Sequence, residues 1–218
     1  MIAPSQENWI LISFYTEGTG YEREAFRLRR SLEALNIKHK IYPVPPSGTW
    51  RKNLQWKSRL ILQAFDEFPD KDIVFVDADA VVHKYPGMFD KLSTRPHQFD
   101  LAAHYFRWRE SAQQELLSGT LWVANNATGR RLMGLWHEFS ATNLQMRHQE
   151  CLRVILDKGL LGVAVYRLPF EYTAIFDAPQ RKGIDPVIEH FQASRRLRNA
   201  HPSAPKPEPI RLSDLKGR

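Results

Sequence analysis

Three short apolar, β-prone runs separated by two amphipathic stretches fill residues 9–76, and this alternation constrains the fold more than any other feature. Trp9–Tyr15 (WILISFY) reads as a strand and ends in the glycine-containing TEGTG loop. From Tyr21 to Leu35, Ala25, Leu28, Leu32 and Leu35 recur at helical spacing, with Arg and Glu on the other side. Lys38–Val44 alternates as a strand and stops at PVPPSG, where proline removes backbone donors. Leu54–Phe68 reads as a second amphipathic helix closed by Pro69, and Ile73–Val76 as a third strand. The β-α-β-α-β order predicts a parallel sheet with helices on its faces. Ligands of such sheets bind outside the carboxyl ends of the strands, where both TEGTG and the Asp77–Asp79 pair fall.

The second half alternates more loosely. Leu101–Trp108, Thr120–Asn125 and Val163–Pro169 read as strands, and Thr128–Phe139 and Gln149–Lys158 as helices. A mixed arrangement is expected there, inside an α/β fold whose central sheet is mostly parallel. At 218 residues the chain is long enough for one good-sized core, placed here in residues 1–198. His201–Ile210 holds four prolines in ten residues, too many for a packed element, so residues 199–218 read as a tail.

Composition excludes several classes. Cys151 is the only cysteine, which rules out an intrachain disulfide and a cysteine-rich zinc site and predicts a cytoplasmic setting. No stretch approaches the ~20 apolar residues of a membrane-spanning helix, and the start lacks the basic and long apolar regions of a signal peptide, so a soluble protein is expected. The net charge of +7 is concentrated at one end. Arg195, Arg196, Arg198, Lys206, Arg211, Lys216 and Arg218 face only Glu208 and Asp214, leaving +5 from Phe191 onward. A basic end of this kind attracts polyanions.

Chemistry concentrates at DIVFVDADAVV. Burying an unpaired carboxylate is costly, so a buried strand that ends in Asp77-Ala78-Asp79 delivers its acids to a cleft edge. Side chains at i and i+2 leave a strand in the same direction and can converge, and a divalent cation relieves the repulsion between two acids. Oxygen ligands suit magnesium or manganese, and an added imidazole tilts the choice toward manganese. His190 in IEHFQASRRLR offers that imidazole, with arginines behind it whose forks match phosphate oxygens. Alternatives stay open for each piece: a solvated loop for the acids, and a half-buried histidine before a solvated basic helix for His190. An Asp-x-Asp after a buried strand also opens the haloacid-dehalogenase-type phosphatases, but the later acidic motif of those enzymes is missing here.

Taken in order, SFYTEGTGY, WKSRLIL, FVDADAVV, SGTLWVAN, HQECLRVIL and EHFQASRR resemble the metal-dependent nucleotide-sugar glycosyltransferases of the A-type fold, in particular the glycogenin-like branch and its small phage and bacterial relatives. That resemblance spans most of residues 9–198 and implies a single-domain, Rossmann-like A-type fold. It also implies a nucleoside-diphosphate-sugar donor, with uridine as the expected base, and Mn2+ (or Mg2+) held by Asp77, Asp79 and His190. Asp77 would also touch the donor ribose. Tyr15 and Thr16 would line the base and ribose pocket, and Lys57 or Arg59 would reach the ribose or diphosphate. The Ser118-Gly119-Thr120 turn would pass close to the sugar, and Arg195 and Arg196 would face the diphosphate. Glu150 would be the acid near the sugar, ahead of Asp100, Glu110 and Glu171. Two departures stand out. Relatives often read His-x-x-Gly-x-x-Lys where this chain has Ala193 and Arg196, and Asp-Gln-Asp where it has His148-Gln149-Glu150.

The acceptor is less constrained. HYFRWRE (His104–Glu110) mixes aromatics and arginines; taken alone it reads as an ordinary strand with alternating faces, and together with the basic tail it suits a modified DNA base or an anionic glycan. A non-catalytic nucleic-acid-binding module explains the charge but not Asp77, Asp79 and His190 together. A metal-dependent nucleotidyltransferase would carry a basic glycine-rich loop after the first strand, whereas TEGTGYER is acidic at Glu17.

Overall fold

The computed structural model describes residues 6–107 and 114–197. Trp108, Glu110, Arg198 and the tail 199–218 lie outside the described residues.

The elements follow in chain order: β1 (Trp9–Thr16), α1 (Tyr21–Ala34), β2 (His39–Val44), α2 (Trp50–Leu54), α3 (Trp56–Glu67), β3 (Asp72–Val76), β4 (Ala80–Val82) and α4 (Met88–Leu92). After these come β5 (Leu101–Arg107), β6 (Gln114–Val123), α5 (Ala127–Thr142), α6 (His148–Asp157), β7 (Val165–Arg167), β8 (Ala174–Ile175), β9 (Ile188–His190) and α7 (Ala193–Leu197). The expected helix over Leu54–Phe68 is α3, and a separate short helix, α2, precedes it across Gln55. α2 is capped by Thr49, whose hydroxyl accepts from the Lys52 amide.

The central sheet has six strands in the order β2-β1-β3-β6-β5-β7. β1 is parallel to both β2 and β3, and β5 is parallel to β7. β6 is antiparallel to its neighbours β3 and β5, so it alone runs against the other strands of this sheet. Both expectations hold: the sheet is mostly parallel, and the mixing lies in the second half. A smaller sheet, β4-β9-β8, sits beside it.

Alternation along each strand divides the core between the two faces. Leu11, Val74, Val76, Ala102 and Trp122 face Ala25, Leu28 and Leu32 of α1 and Phe89 of α4. Ile12, Ile73, Phe75, Leu121 and Val123 face α3, α5 and α6, where Phe65, Trp136 and Leu152 are buried. Every residue of β3 is buried, which is why this strand reads as an unbroken apolar run after Asp72. Asp72 itself is fully buried and well partnered: the Asn125 amide donates to Oδ1 (2.8 Å), His97 Nε2 lies 3.0 Å from Oδ2, and Arg95 sits at 3.7 Å.

The Ser118–Thr120 segment is a correction to the sequence reading. It is no turn; it lies within β6, which starts at Gln114. The β5–β6 register slips there, from Ala103 opposite Leu121 to His104 opposite Leu117. Such an irregularity bends a strand and re-aims its side chains, a device common beside functional sites.

Candidate functional site

β3 ends at Val76 and the backbone turns at once. The Asp77 amide donates to the Gly119 carbonyl on β6 (2.8 Å), and the Ala80 amide donates to the Asp77 carbonyl (3.1 Å). The two acids therefore converge through a tight turn, not through the strand pleat assumed from their i, i+2 spacing. β4 then pairs antiparallel with β9 and sets Ala80 opposite His190. This pairing brings the imidazole across from the acids.

Ligand atoms of Asp77, Asp79 and His190 all lie within 4.8 Å of one another, close enough to share one metal ion. His190 is buried, with Nδ1 3.8 Å from Asp79 Oδ1 and Nε2 2.8 Å from the Thr120 hydroxyl. The Thr120 contact occupies one ring nitrogen and leaves Nδ1 facing the acids, the usual arrangement for an orienting group behind a metal-binding histidine. Asp79 Oδ2 accepts the Ala193 amide (2.7 Å), and its carbonyl accepts the Phe191 amide (3.0 Å) and Arg27 Nη2 (3.4 Å). Gly119 keeps the centre open. A Cβ there would meet His190 Cε1 at 3.0 Å and Asp77 Oδ2 at 3.3 Å.

One buried cation enters this cluster. Lys57, only 3% exposed, places Nζ 2.8 Å from Asp77 Oδ1, 2.8 Å from the Ser118 carbonyl and 3.2 Å from the Ser118 hydroxyl. Its three protons are thereby used, and it neutralises one carboxylate of two. The environments of the acids differ accordingly. Burial pushes the Asp77 carboxyl up and repulsion by Asp79 adds to this, against the pull of Lys57 and His190. Burial pushes Asp79 up as well, but hydrogen bonding and charge from His190, with the Ala193 amide, carry it below its ordinary value. A divalent cation at this point would relieve the residual repulsion, and the residues present fit one.

The structure therefore brings together Lys57, Asp77, Asp79, Gly119 and His190. Tyr15 and Thr16 close β1 at the same edge of the sheet, and the TEGTG loop that follows lies under α7, where a Cβ on Gly20 would sit 2.7 Å from Leu197 Cδ2. Arg195 and Arg196 stand on α7, but each has an acidic partner: Asp177 for Arg195, and Glu24 (2.8 Å) for Arg196. Arg59 points elsewhere, its guanidinium 4.7 Å from the Trp56 ring centre. Glu150 lies in the first turn of α6, accepting from the Arg147 amide (2.9 Å) and pairing with its guanidinium (3.0 Å). Asp100 ties Asn126 and the Ala164 amide in place, and Glu110 lies outside the described residues.

Arg27 and the orienting contacts of Ser118, Thr120 and Ala193 were not legible beforehand. Arg27 also lies 4.4 Å over the Phe191 ring, and nothing in its own helical repeat distinguishes it from the other arginines of α1. Gln192, between His190 and the Ala193 amide, adopts a left-handed backbone (φ 51°). The resemblance placed a glycine one residue later, at position 193, so the conformational need survives at a shifted position.

Solved structures that resemble this architecture include two glycosyltransferases. A glycosyltransferase involved in glycosylation of the major capsid of PBCV-1 overlays with a TM-score of 0.68, covering 89% of this chain and 98% of that one at 15% identity. The fold is that of a glycosyltransferase. The apo form of GlyE, a glycosyltransferase of Streptococcus pneumoniae TIGR4, overlays with a TM-score of 0.53 and 15% identity, over 84% of this chain and 54% of that one. No protein-family model and no curated protein matches by sequence. Among the described residues, no helix is long and apolar enough to cross a membrane.

Proposed function

We propose that this chain transfers a sugar from a nucleoside-diphosphate sugar, with uridine as the expected base, to an acceptor hydroxyl, using a divalent ion held by Asp77, Asp79 and His190. The observation that carries the proposal is the convergence of those three residues, two from the β3–β4 turn and one from β9, at the carboxyl edge of a glycosyltransferase fold. Manganese suits the mixed carboxylate and imidazole set, with magnesium as the second choice. When bound, the ion would supply Lewis-acid stabilisation of a diphosphate leaving group.

The protein's own groups have distinct tasks in this scheme. Lys57 holds Asp77 in place and carries a buried positive charge beside the diphosphate position. Thr120 fixes the His190 ring, and Gly119 leaves room for the donor beside it. Tyr15 and Thr16 form the wall for base and ribose. Arg195 and Arg196 would reach the diphosphate only by leaving Asp177 and Glu24, so these pairs are expected to exchange partners when donor binds. Glu150 would act as the acid near the sugar only after release from Arg147. The acceptors that suit the chain's charge are an anionic glycan and a modified DNA base, and the cytoplasm is the expected setting.

The test is release of nucleoside diphosphate from a panel of nucleotide sugars, with manganese, with magnesium and with chelator, alongside direct measurement of donor binding. Metal-dependent binding and release by the wild type, absent in Asp79→Asn, is the expected result. A wild type that binds no donor in the presence of either metal would overturn the proposal.

A further inference from the structure

The first turn of α3 faces two ways. Lys57 points to Asp77, whereas Trp56 and Arg59, spaced i and i+3, face a cavity of about 290 Å3 between α2, α3 and α5. Ser47, Lys52, Gln55 and His137 complete its polar wall, and every one of these side chains can donate a hydrogen bond. No lining residue is acidic. Among the described residues, Lys52 and Arg59 are exposed and neither is in a salt bridge, in contrast to Arg195 and Arg196.

The wall is held in place from behind. Trp56 Nε1 donates to the Ser47 hydroxyl at 3.1 Å, and the Arg59 guanidinium lies over the Trp56 ring. His137 Nδ1 meets the Ser58 hydroxyl at 3.4 Å, and this hydroxyl also lies 3.4 Å from Nε2 of the buried His148. Two uncompensated cations, one a planar fork, match a compact oxyanion. The volume falls at the small end of small-molecule sites, which excludes a nucleic-acid strand and admits about one sugar residue. Ser47, Gln55 and His137 would meet ring hydroxyls.

We infer that this cavity binds a phosphate- or carboxylate-bearing saccharide residue, its oxyanion held by Arg59 and Lys52. The inference rests on the α2-α3-α5 cavity alone and does not depend on the metal cleft. It also gives Arg59 a ligand other than the donor diphosphate expected from sequence.

The test uses the full chain labelled with 15N at tryptophan, in chelator and without nucleotide sugar, so that failure of the transferase reading cannot produce failure here. The Trp56 indole signal, assigned through Trp56→Phe, is followed during titration with glucose 6-phosphate, glucuronate, glucose and inorganic phosphate. The two anionic sugars should give saturable shifts, glucose none, and the Lys52→Gln/Arg59→Gln double variant should bind at least about tenfold more weakly. Glucose 6-phosphate should bind about tenfold more tightly than inorganic phosphate, through the added hydroxyl contacts. Equal affinity for the two would overturn the saccharide and leave a free-phosphate site. No saturable shift with any anion, or an undiminished shift in a well-dispersed spectrum of the double variant, would overturn the site itself.

Discussion

β3 carries an acid at its amino end and a pair just past its carboxyl end, and the fold treats the two ends in opposite ways. Asp72 is fully buried and meets His97, Arg95 and the Asn125 amide, so its partners outnumber its charge. Asp77 and Asp79 share a single buried ammonium, Lys57, and an imidazole whose other nitrogen is already taken by Thr120. An acid with surplus partners ties elements together. Two acids short of positive charge offer a candidate site for a cation. Exposure differs between the two ends as well, with the Asp72 side chain fully buried and that of Asp77 38% exposed, so the balance of partners and access to solvent point the same way.

The largest effect expected from this contrast is functional and sits at the carboxyl end. Asp79→Asn should lose at least about 100-fold in metal-dependent donor turnover while unfolding at nearly the wild-type urea midpoint. Asp72→Ala should do the reverse, losing about 3 kcal/mol in urea denaturation because Arg95 and His97 lose their buried partner, with turnover per folded molecule retained. If the two variants traded phenotypes, the assignment of the two ends would be wrong.

Manganese sharpens the same comparison. It should raise the Tm of the wild type and of Asp72→Ala in a concentration-dependent way and leave Asp79→Asn unmoved, read by thermal unfolding with and without chelator. A smaller effect is expected at the orienting contact behind His190. Thr120→Val removes the hydroxyl 2.8 Å from Nε2 and should weaken manganese binding by about tenfold in a calorimetric titration. The smallest effect belongs to the backbone. Gln192→Gly places glycine where φ is 51°, and should gain up to about 1 kcal/mol in urea unfolding with unchanged metal affinity. A loss of stability there would show that the Gln192 side chain, not its backbone, holds the Ala193 amide on Asp79.

Much of the frame was readable along the chain. The first three strands, α1 and the body of α3 declare themselves because hydrophobic period reports which face of a single element is buried. α5 and α6 fall within a few residues of their expected bounds for the same reason. Asp77, Asp79 and His190 stood out because acids after a buried strand and a histidine before an arginine cluster are unusual in type and place. Periodicity fails where a strand is very short. β4 and β8 span three and two residues, too few to show any repeat, yet β4 is what sets Ala80 opposite His190.

The sequence by itself therefore determined the layered α/β frame, the edge of the sheet at which Asp77 and Asp79 lie, and the residue types able to hold a metal. Only the tertiary structure decided which groups meet. Reversal of β6 and its slipped register carry Ser118, Gly119 and Thr120 to Lys57, Asp77 and His190. The rotation of α3 sends Lys57 to the cleft and Arg59 to the opposite cavity, and Glu24 and Asp177 claim the arginines of α7. The physical reason is one of range. Local pattern fixes the direction of a side chain relative to its own element, whereas its partners are set by strand order and register between segments far apart in the chain.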